Sequence, residues 1–573
     1  MTTPSPSPRL AGHLLVECLI AQGVKDVFGV PGESYLAVLD GFHVHADAIR
    51  FVVNRQEGGA AYMAEAVGKL TGKPGVCFVT RGPGATNASI GVHTAFQDST
   101  PMVLFVGDVA SDTRDREAFQ EVDFSAFFGP STKGMAKRVE RIDDAARIPE
   151  AVARAFMTAQ SGRPGPVVVV LPEDMLTQAV PDALKALPAL NPPQAWSDPG
   201  SLRSLRQMLL QARQPLVVAG GSGWTPQATS ALHRFAENWQ LPVANAFRFQ
   251  DLFDNRHPQY AGDMGLGTDP GLRRRVSEAD LLLVIGARMG EATTAGYTLL
   301  DVPVPKQTLV HIHVDAAELG RVYQPALSIQ ASMANAAKSL EGLTAPPDVP
   351  WAEWTASAHA DYLASLNGAA AAKVCEGTLD MAAIIRTLSE TLPPDAVISN
   401  GAGNFATWLH RFFQYRSLSQ GLKIQLAPTN GAMGYGVPAG IAAALTTGRP
   451  VVTLTGDGDF LMNGQELATA VQHGVKTHVV VLLNNSSYGT IRMHQERAYP
   501  THVLASDLRN PDFCALAKAY GYEAEKIEET SGFAPALARA MARRGGTLIE
   551  LTFDVQALTT RQTLSGIRDA KGH

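Results

Sequence analysis

The sequence predicts an α/β protein of three domains, each with a mainly parallel sheet flanked by helices. Three observations carry that prediction: short, continuous β-branched runs, Ala- and Leu-rich helical stretches between them, and two proline-rich breaks that divide the chain into blocks of comparable size. Strands that are apolar at consecutive rather than alternate positions suit a parallel sheet covered by helices on both faces.

In chain order the runs are VCFVT at 76–80, MVLFV at 102–106 and VVVVL at 167–171, then LVVA at 216–219 and LLLVI at 281–285. VVTLT at 451–455, HVVVLL at 478–483 and TLIEL at 547–551 follow. The breaks fall at 181–199 and 343–351, where closely spaced prolines interrupt both helix and central strand. The expected domains are therefore 9–180, 200–342 and 376–558, with 559–573 as a tail.

Composition narrows the function. The chain has 573 residues, 45% of them hydrophobic and 18% charged, which fits packed domains rather than long disorder. Its net charge is −6 and it carries no basic run, so a nucleic acid partner is not expected. Cys18, Cys77, Cys375 and Cys514 form no CxxC pair, which argues against a zinc knuckle and a disulfide framework and fits a reducing cytoplasm. The opening MTTPSPSPRL lacks the pattern of a signal peptide and no stretch runs to a membrane-spanning length, so secretion and membrane insertion are not expected.

The chemistry concentrates after the strand VVTLT. There the chain reads Gly456, Asp457, Gly458, Asp459, Phe460, then a helical stretch, the strand HVVVLL, and Asn484-Asn485. Ligands of open parallel sheets sit at the carboxyl ends of strands, and one βαβ unit separates these clusters, so a carboxylate and an amide oxygen can meet on neighbouring strand tips. Oxygen ligands of this kind suit Mg²⁺, which keeps places for phosphate oxygens. Gly456 and Gly458 allow a phosphate to approach the backbone, and the helix start that follows favours negative charge. A lone GDG is more often a tight turn; the asparagine pair at this spacing is what points to a metal-bridged diphosphate.

GDGDF followed by LLNNSSYG resembles the metal and diphosphate motif of thiamine diphosphate enzymes. The resemblance implies Asp457, Asn484 and the main-chain carbonyl of Ser486 as ligands of Mg²⁺, and a cofactor site that includes Gly401, Gly403, Asn404, Tyr488 and Gly489 beside Gly456, Gly458 and Asp459. In that family the folded-over cofactor uses its own amine as the base, which requires a wedge between its two rings and a carboxyl group on the pyrimidine nitrogen. The stretch 429–438 (TNGAMGYGVP) looks like the wedge loop, with Met433 between the rings and the Gly431 carbonyl accepting from the amine. A flexible thioether suits such an irregular gap. Glu57, in NRQEGGAA after the apolar run 51–53, is the implied carboxyl group; a solvated first-turn glutamate is the plainer alternative.

Nearly the whole chain resembles one branch of the family, the large catalytic subunits of acetolactate synthases, through FGVPG at 28–32, GPGATN at 82–87, GRPGPV at 162–167 and HIHVD at 311–315. That implies the thiamine diphosphate-binding fold for the first and last domains, with each active site shared between subunits of a homodimer or a dimer of dimers. It also implies Gln120 in Phe119-Gln120-Glu121 and Lys133 in Thr132-Lys133 on the substrate side, with Lys133 able to hold a carboxylate. Departures are visible as well. Ala292 stands where the branch has an arginine for the second 2-oxo acid, Gly262–Thr268 (GDMGLGT) replaces the segment that faces FAD, and Glu33 and Ser34 occupy the loop after the first strand where small residues are usual.

The expected activity is decarboxylation of a 2-oxo acid with transfer of the acyl-anion equivalent to a carbonyl acceptor. The alternatives are a flavin-free decarboxylase or aldehyde carboligase, and a catalytically silent cofactor-binding subunit. FAD, a regulatory subunit and the identity of the 2-oxo acid stay open at this point.

Overall fold

In the computed structural model, residues 8–129, 134–416 and 423–570 are described. The chain separates into two compact units, the first built on the N-terminal sheet together with Ile441–Thr447 and Gln465–Gly474, the second on two further sheets. Every paired strand in the three sheets runs parallel to its neighbour.

The first sheet contains β1 (Asp26–Gly29), β2 (Arg50–Val53), β3 (Gly75–Val79), β4 (Met102–Asp108), β5 (Arg138–Arg141) and β6 (Pro166–Pro172), in the order β2-β1-β3-β4-β6-β5. Strands β3, β4 and β6 are fully buried, which is why they read as unbroken apolar runs. The helices Glu57–Thr71 and Gly82–Asp98 cross over it with faces of glycine and alanine. A Cβ on Gly91 would come within 2.3 Å of the Ala61 Cβ, so the two helices pack at a distance that only small residues permit.

In the second unit the central sheet holds β7 (Pro215–Ala219), β8 (Val243–Asn245), β9 (Tyr260–Asp263), β10 (Leu281–Ile285), β11 (Thr308–His313) and β12 (Leu327–Gln330), ordered β12-β11-β10-β7-β8-β9. The last sheet holds β13 (Val397–Asn400), β14 (Gln425–Leu426), β15 (Val451–Gly456), β16 (Thr477–Asn484), β17 (Glu523–Ile527) and β18 (Gly545–Thr552), ordered β14-β13-β15-β16-β18-β17. Counted within each sheet, the first and last share one strand order, while the central sheet follows the order common in dinucleotide-binding domains. The glycine-rich turn after β7 is explained by packing: a Cβ on Gly221 would lie 2.0 Å from the Gly286 carbonyl oxygen.

The tail is anchored. Its helix Leu564–Asp569 buries Leu564 and Ile567 against Met493 and Leu558, and Arg568 donates to both oxygens of Glu496 at 2.8 and 2.6 Å. No helix among the described residues is long and apolar enough to cross a membrane.

Two buried histidines give the fold a pH dependence. His478 is 0% exposed between the Thr453 and Tyr522 hydroxyls, each 2.8 Å away, and burial pushes it down to about 3. Burial likewise pushes His311 down to about 4. Because the unfolded chain takes these protons near pH 6.5 and the folded one does not, acid favours unfolding by on the order of 1.4 kcal/mol per pH unit for each histidine. The buried Asp459 carboxyl, raised to about 6 mainly by burial, acts in the opposite sense, since the folded state keeps its proton longer. The thermal unfolding midpoint is expected to fall between pH 6.5 and 5, and His478→Gln to flatten that slope; a midpoint independent of pH there would contradict it.

Candidate functional site

The order of the last sheet reverses direction between β13 and β15, and the crevice outside such a reversal is where open α/β sheets bind ligands. A cavity of about 250 Å³ lies there. Gly403 and Asn404 line it from the loop after β13, Gly431 and Met433 from the loop after β14, and Gly456, Asp457, Gly458 and Asp459 from the end of β15. Tyr488 and Gly489, beyond β16, close it.

Asp459 shows how the first three of these loops are held. Its Oδ1 accepts from the backbone N–H of Gly434 at 2.8 Å and of Ala402 at 3.1 Å, and its Oδ2 accepts from the Thr455 hydroxyl at 2.7 Å. Gly401 stands behind the cavity wall: a Cβ there would come within 2.1 Å of Asp459 Oδ1, so only glycine lets the loop approach. Gly431, at φ +69°, adopts a left-handed conformation, and a Cβ on it would point into open space. Gly458 sits against the Tyr488 ring, 2.6 Å from where its Cβ would be.

Beside the cavity, two oxygens converge. Asp457 is 2% exposed and burial raises its carboxyl above the usual carboxylate range. Its Oδ1 accepts from the Gly458 N–H at 2.9 Å, and its Oδ2 accepts from Asn510 Nδ2 at 2.7 Å. The same Asn510 nitrogen donates to Asn484 Oδ1 at 2.9 Å. Asn484 is oriented by Glu550, whose Oε1 accepts from its Nδ2 at 2.8 Å and so turns its oxygen toward Asp457. Ser486 holds a left-handed φ of +53°, its carbonyl accepting from the Leu508 N–H at 2.8 Å with a second lone pair left over. A carboxylate, an amide and a carbonyl at two adjacent strand tips are oxygens of the kind that could hold a hard divalent cation.

Of the residues expected in the first unit, Glu57 and Gln120 lie at the starts of two neighbouring helices. Glu57 opens the helix Glu57–Thr71, half-buried, with its Oε2 accepting from Asn87 Nδ2 at 2.9 Å. The turn before it is pinned by buried Glu466, which accepts from the N–H groups of Arg55 and Gln56 and from Asn54 Nδ2, each at 3.0 Å. Gln120 adopts φ +66° and its carbonyl accepts from the Gly82 N–H at 2.9 Å, so it lies at the start of the helix that carries Asn87. Thr132 and Lys133 lie outside the described residues. In the loop after β1, the Glu33 carboxylate pairs with Arg81 at 2.6 Å, and the Ser34 hydroxyl points inward, 2.9 Å from that of Thr80.

Sequence reading missed Asn510, Glu550 and Glu466, which hold motif residues from elsewhere in the chain with nothing local to mark them, and it quoted Asn87 only as the end of GPGATN, without a role.

A larger cavity of about 630 Å³ adjoins the first within the second unit, sharing Gly403, Asn404 and Gly431 with it. Buried Arg248 and half-buried Asp263 and Ala292 line it, together with Gly262 and Gly267 from the segment noted in the sequence.

Fold and site together define a three-domain α/β enzyme with a glycine-lined cavity at the strand tips of its last sheet. Three family signatures match the chain: "Thiamine pyrophosphate enzyme, N-terminal TPP binding domain" over 9–127, "central domain" over 202–340 and "C-terminal TPP binding domain" over 401–551. The chain belongs to the thiamine pyrophosphate (thiamine diphosphate) enzyme family. It is 31% identical to the acetolactate synthase large subunit of Parasynechococcus marenigrum over 553 residues, covering 94% of this chain and 86% of that one. It is 29% identical to the acetolactate synthase isozyme 1 large subunit of Escherichia coli over 561 residues, covering 97% and 96%. The large subunit of Lactococcus lactis is 30% identical over 531 residues, covering 91% and 88%.

Proposed function

We propose that the protein decarboxylates a 2-oxo acid and joins the acyl fragment to a carbonyl acceptor, using thiamine diphosphate and Mg²⁺, with acetolactate synthesis from two pyruvates as the nearest activity. The observation that supports this most is the convergence of Asp457 Oδ2 and Asn484 Oδ1 beside a glycine-lined cavity at the reversal of the sheet order.

The residues present fit the cofactor. The hard-oxygen donor set of Asp457, Asn484 and the Ser486 carbonyl suits a cation that carries a diphosphate. Gly403, Asn404, Gly456 and Gly458 keep the backbone accessible to phosphate oxygens, while Tyr488 and Gly489 close the far side. Met433 lines the cavity where a wedge is required, and the space at Gly431 is open. When bound, thiamine diphosphate supplies the carbon nucleophile and the electron sink for loss of CO₂. Glu57, contributed by the first domain of a second subunit, holds and returns the proton on the pyrimidine nitrogen. The resemblance assigns Gln120 and Lys133 to the substrate side, with Lys133 the group able to hold a carboxylate. A dimer is then the smallest active form, and a monomeric active protein in light scattering would overturn this arrangement.

One observation favours the flavin-free reading: Ala292, with no charge, lines the larger cavity where the resemblance implies an arginine. Product analysis with pyruvate separates the two. Acetolactate supports the first reading, acetaldehyde or acetoin the second, and no CO₂ from any 2-oxo acid overturns both. The visible spectrum of the pure protein adds to this, since a flavin band assigns FAD to the protein and a colourless protein favours the second reading.

A further inference from the structure

We propose that Asn510 is a further oxygen ligand of the cation, its amide turning over so that Oδ1 faces the ion. The inference rests on the cation site at Asp457 and Asn484. Asn510 Nδ2 lies 2.7 Å from Asp457 Oδ2 and 2.9 Å from Asn484 Oδ1. In an octahedral shell with bonds of about 2.0–2.1 Å, adjacent ligand atoms are about 2.9 Å apart. The outer atom of the Asn510 amide thus already stands at the octahedral edge length from both expected ligands.

A half-turn about the Cβ–Cγ bond exchanges the amide nitrogen and oxygen without changing the shape of the side chain. With nitrogen inward, its two hydrogens serve the two facing oxygens. With oxygen inward, three oxygens would repel one another unless a dication lay between them. Asn510 Oδ1 is enclosed and has no hydrogen-bond partner, so nothing in the structure holds it where it is, and the half-turn that sets the amide nitrogen in its place brings the oxygen to the ion.

The backbone holds Asn510 in place for this role. Leu508 N–H donates to the Ser486 carbonyl and Tyr488 N–H to the Ser506 carbonyl, both at 2.8 Å, which ties its segment to the loop that follows Asn484. On the other side Pro511 restricts the Asn510 backbone, and Asp512 caps the helix Phe513–Ala519 by accepting from the Ala515 N–H at 2.8 Å. The side chain is therefore presented to the strand tip from a fixed support.

The test is Mn²⁺ binding to the full-length protein at a fixed concentration of thiamine diphosphate, read as free Mn²⁺ by electron paramagnetic resonance. Native far-UV circular dichroism is required of each variant. Asn510→Ala is expected to weaken Mn²⁺ binding about tenfold or more, by the scale for groups around a metal. Asn510→Asp, which offers an oxygen in either orientation, should restore it. Parental affinity in Asn510→Ala would overturn the proposal, as would failure of Asn510→Asp to restore binding. Asp457→Asn distinguishes the two levels: if it binds Mn²⁺ as the parent does, the cation site itself is misplaced and the inference falls with it. If Asp457→Asn loses Mn²⁺ while Asn510→Ala keeps it, only the role of Asn510 fails.

Discussion

Glu57→Gln is expected to lower the rate of CO₂ release from a 2-oxo acid by about 10²–10⁴-fold, the range spanned by general acid–base groups. Cation binding and the thermal unfolding midpoint should stay close to those of the parent. The two side chains have the same shape, and a glutamine oxygen can still accept from Asn87 Nδ2, as Glu57 Oε2 does at 2.9 Å. The preceding turn is held independently by Glu466. What the substitution removes is a carboxyl group that can hold a proton and give it up. Initial rates with pyruvate, beside Mn²⁺ binding and a thermal scan, decide the matter, and parental turnover would remove Glu57 from the mechanism.

Asp457→Asn should separate binding from stability. Loss of the only charged ligand in the set is expected to weaken Mg²⁺ or Mn²⁺ by about 100-fold or more, since even supporting groups around a metal cost 10–100-fold. The metal-stripped protein, however, should unfold at the same temperature as the parent or higher. Burial raises the Asp457 carboxyl above its ordinary value, so its ionised form is held at a cost that is present at neutral pH and disappears as pH falls below the unfolded value. An uncharged amide of the same shape avoids that cost. In chelator the two midpoints should agree or favour the variant; with Mg²⁺ and thiamine diphosphate only the parent should gain, by mass action. A variant that keeps the Mg²⁺-dependent shift would show that the cation binds elsewhere. Such a site accepts a penalty in the fold for the sake of the ligand, a trade seen widely at functional positions.

The strands that sequence reading found are continuous apolar runs; short or polar-interrupted strands such as VAN in β8 and VISN in β13 passed unread even though they are buried. All eight apolar runs read as strands fall on interior strands: β3, β4 and β6 in the first sheet, β7 and β10 in the central one, β15, β16 and β18 in the last. The strands missed at the edges are short or half-exposed, such as RVER in β5, LSIQ in β12, the two residues of β14, and EAEKI in β17. An edge strand has one neighbour and open sides, so it needs no continuous apolar run and leaves none to read.

The chain order of residues alone specified the α/β class, eight of the twelve interior strands, and the motif that puts Asp457 and Asn484 at adjacent strand tips. These depend on short-range periodicity and on the length of one βαβ unit, both of which are written along the chain. Only the tertiary structure supplied the groups that aim those oxygens: Asn510 against Asp457 and Asn484, Glu550 behind Asn484, Asp459 tying three loops, and Glu466 under the turn before Glu57. Hydrogen bonds act over about 3 Å of space whatever the separation along the chain, and Glu466 meets Arg55 across 411 residues, a partnership that no local pattern encodes.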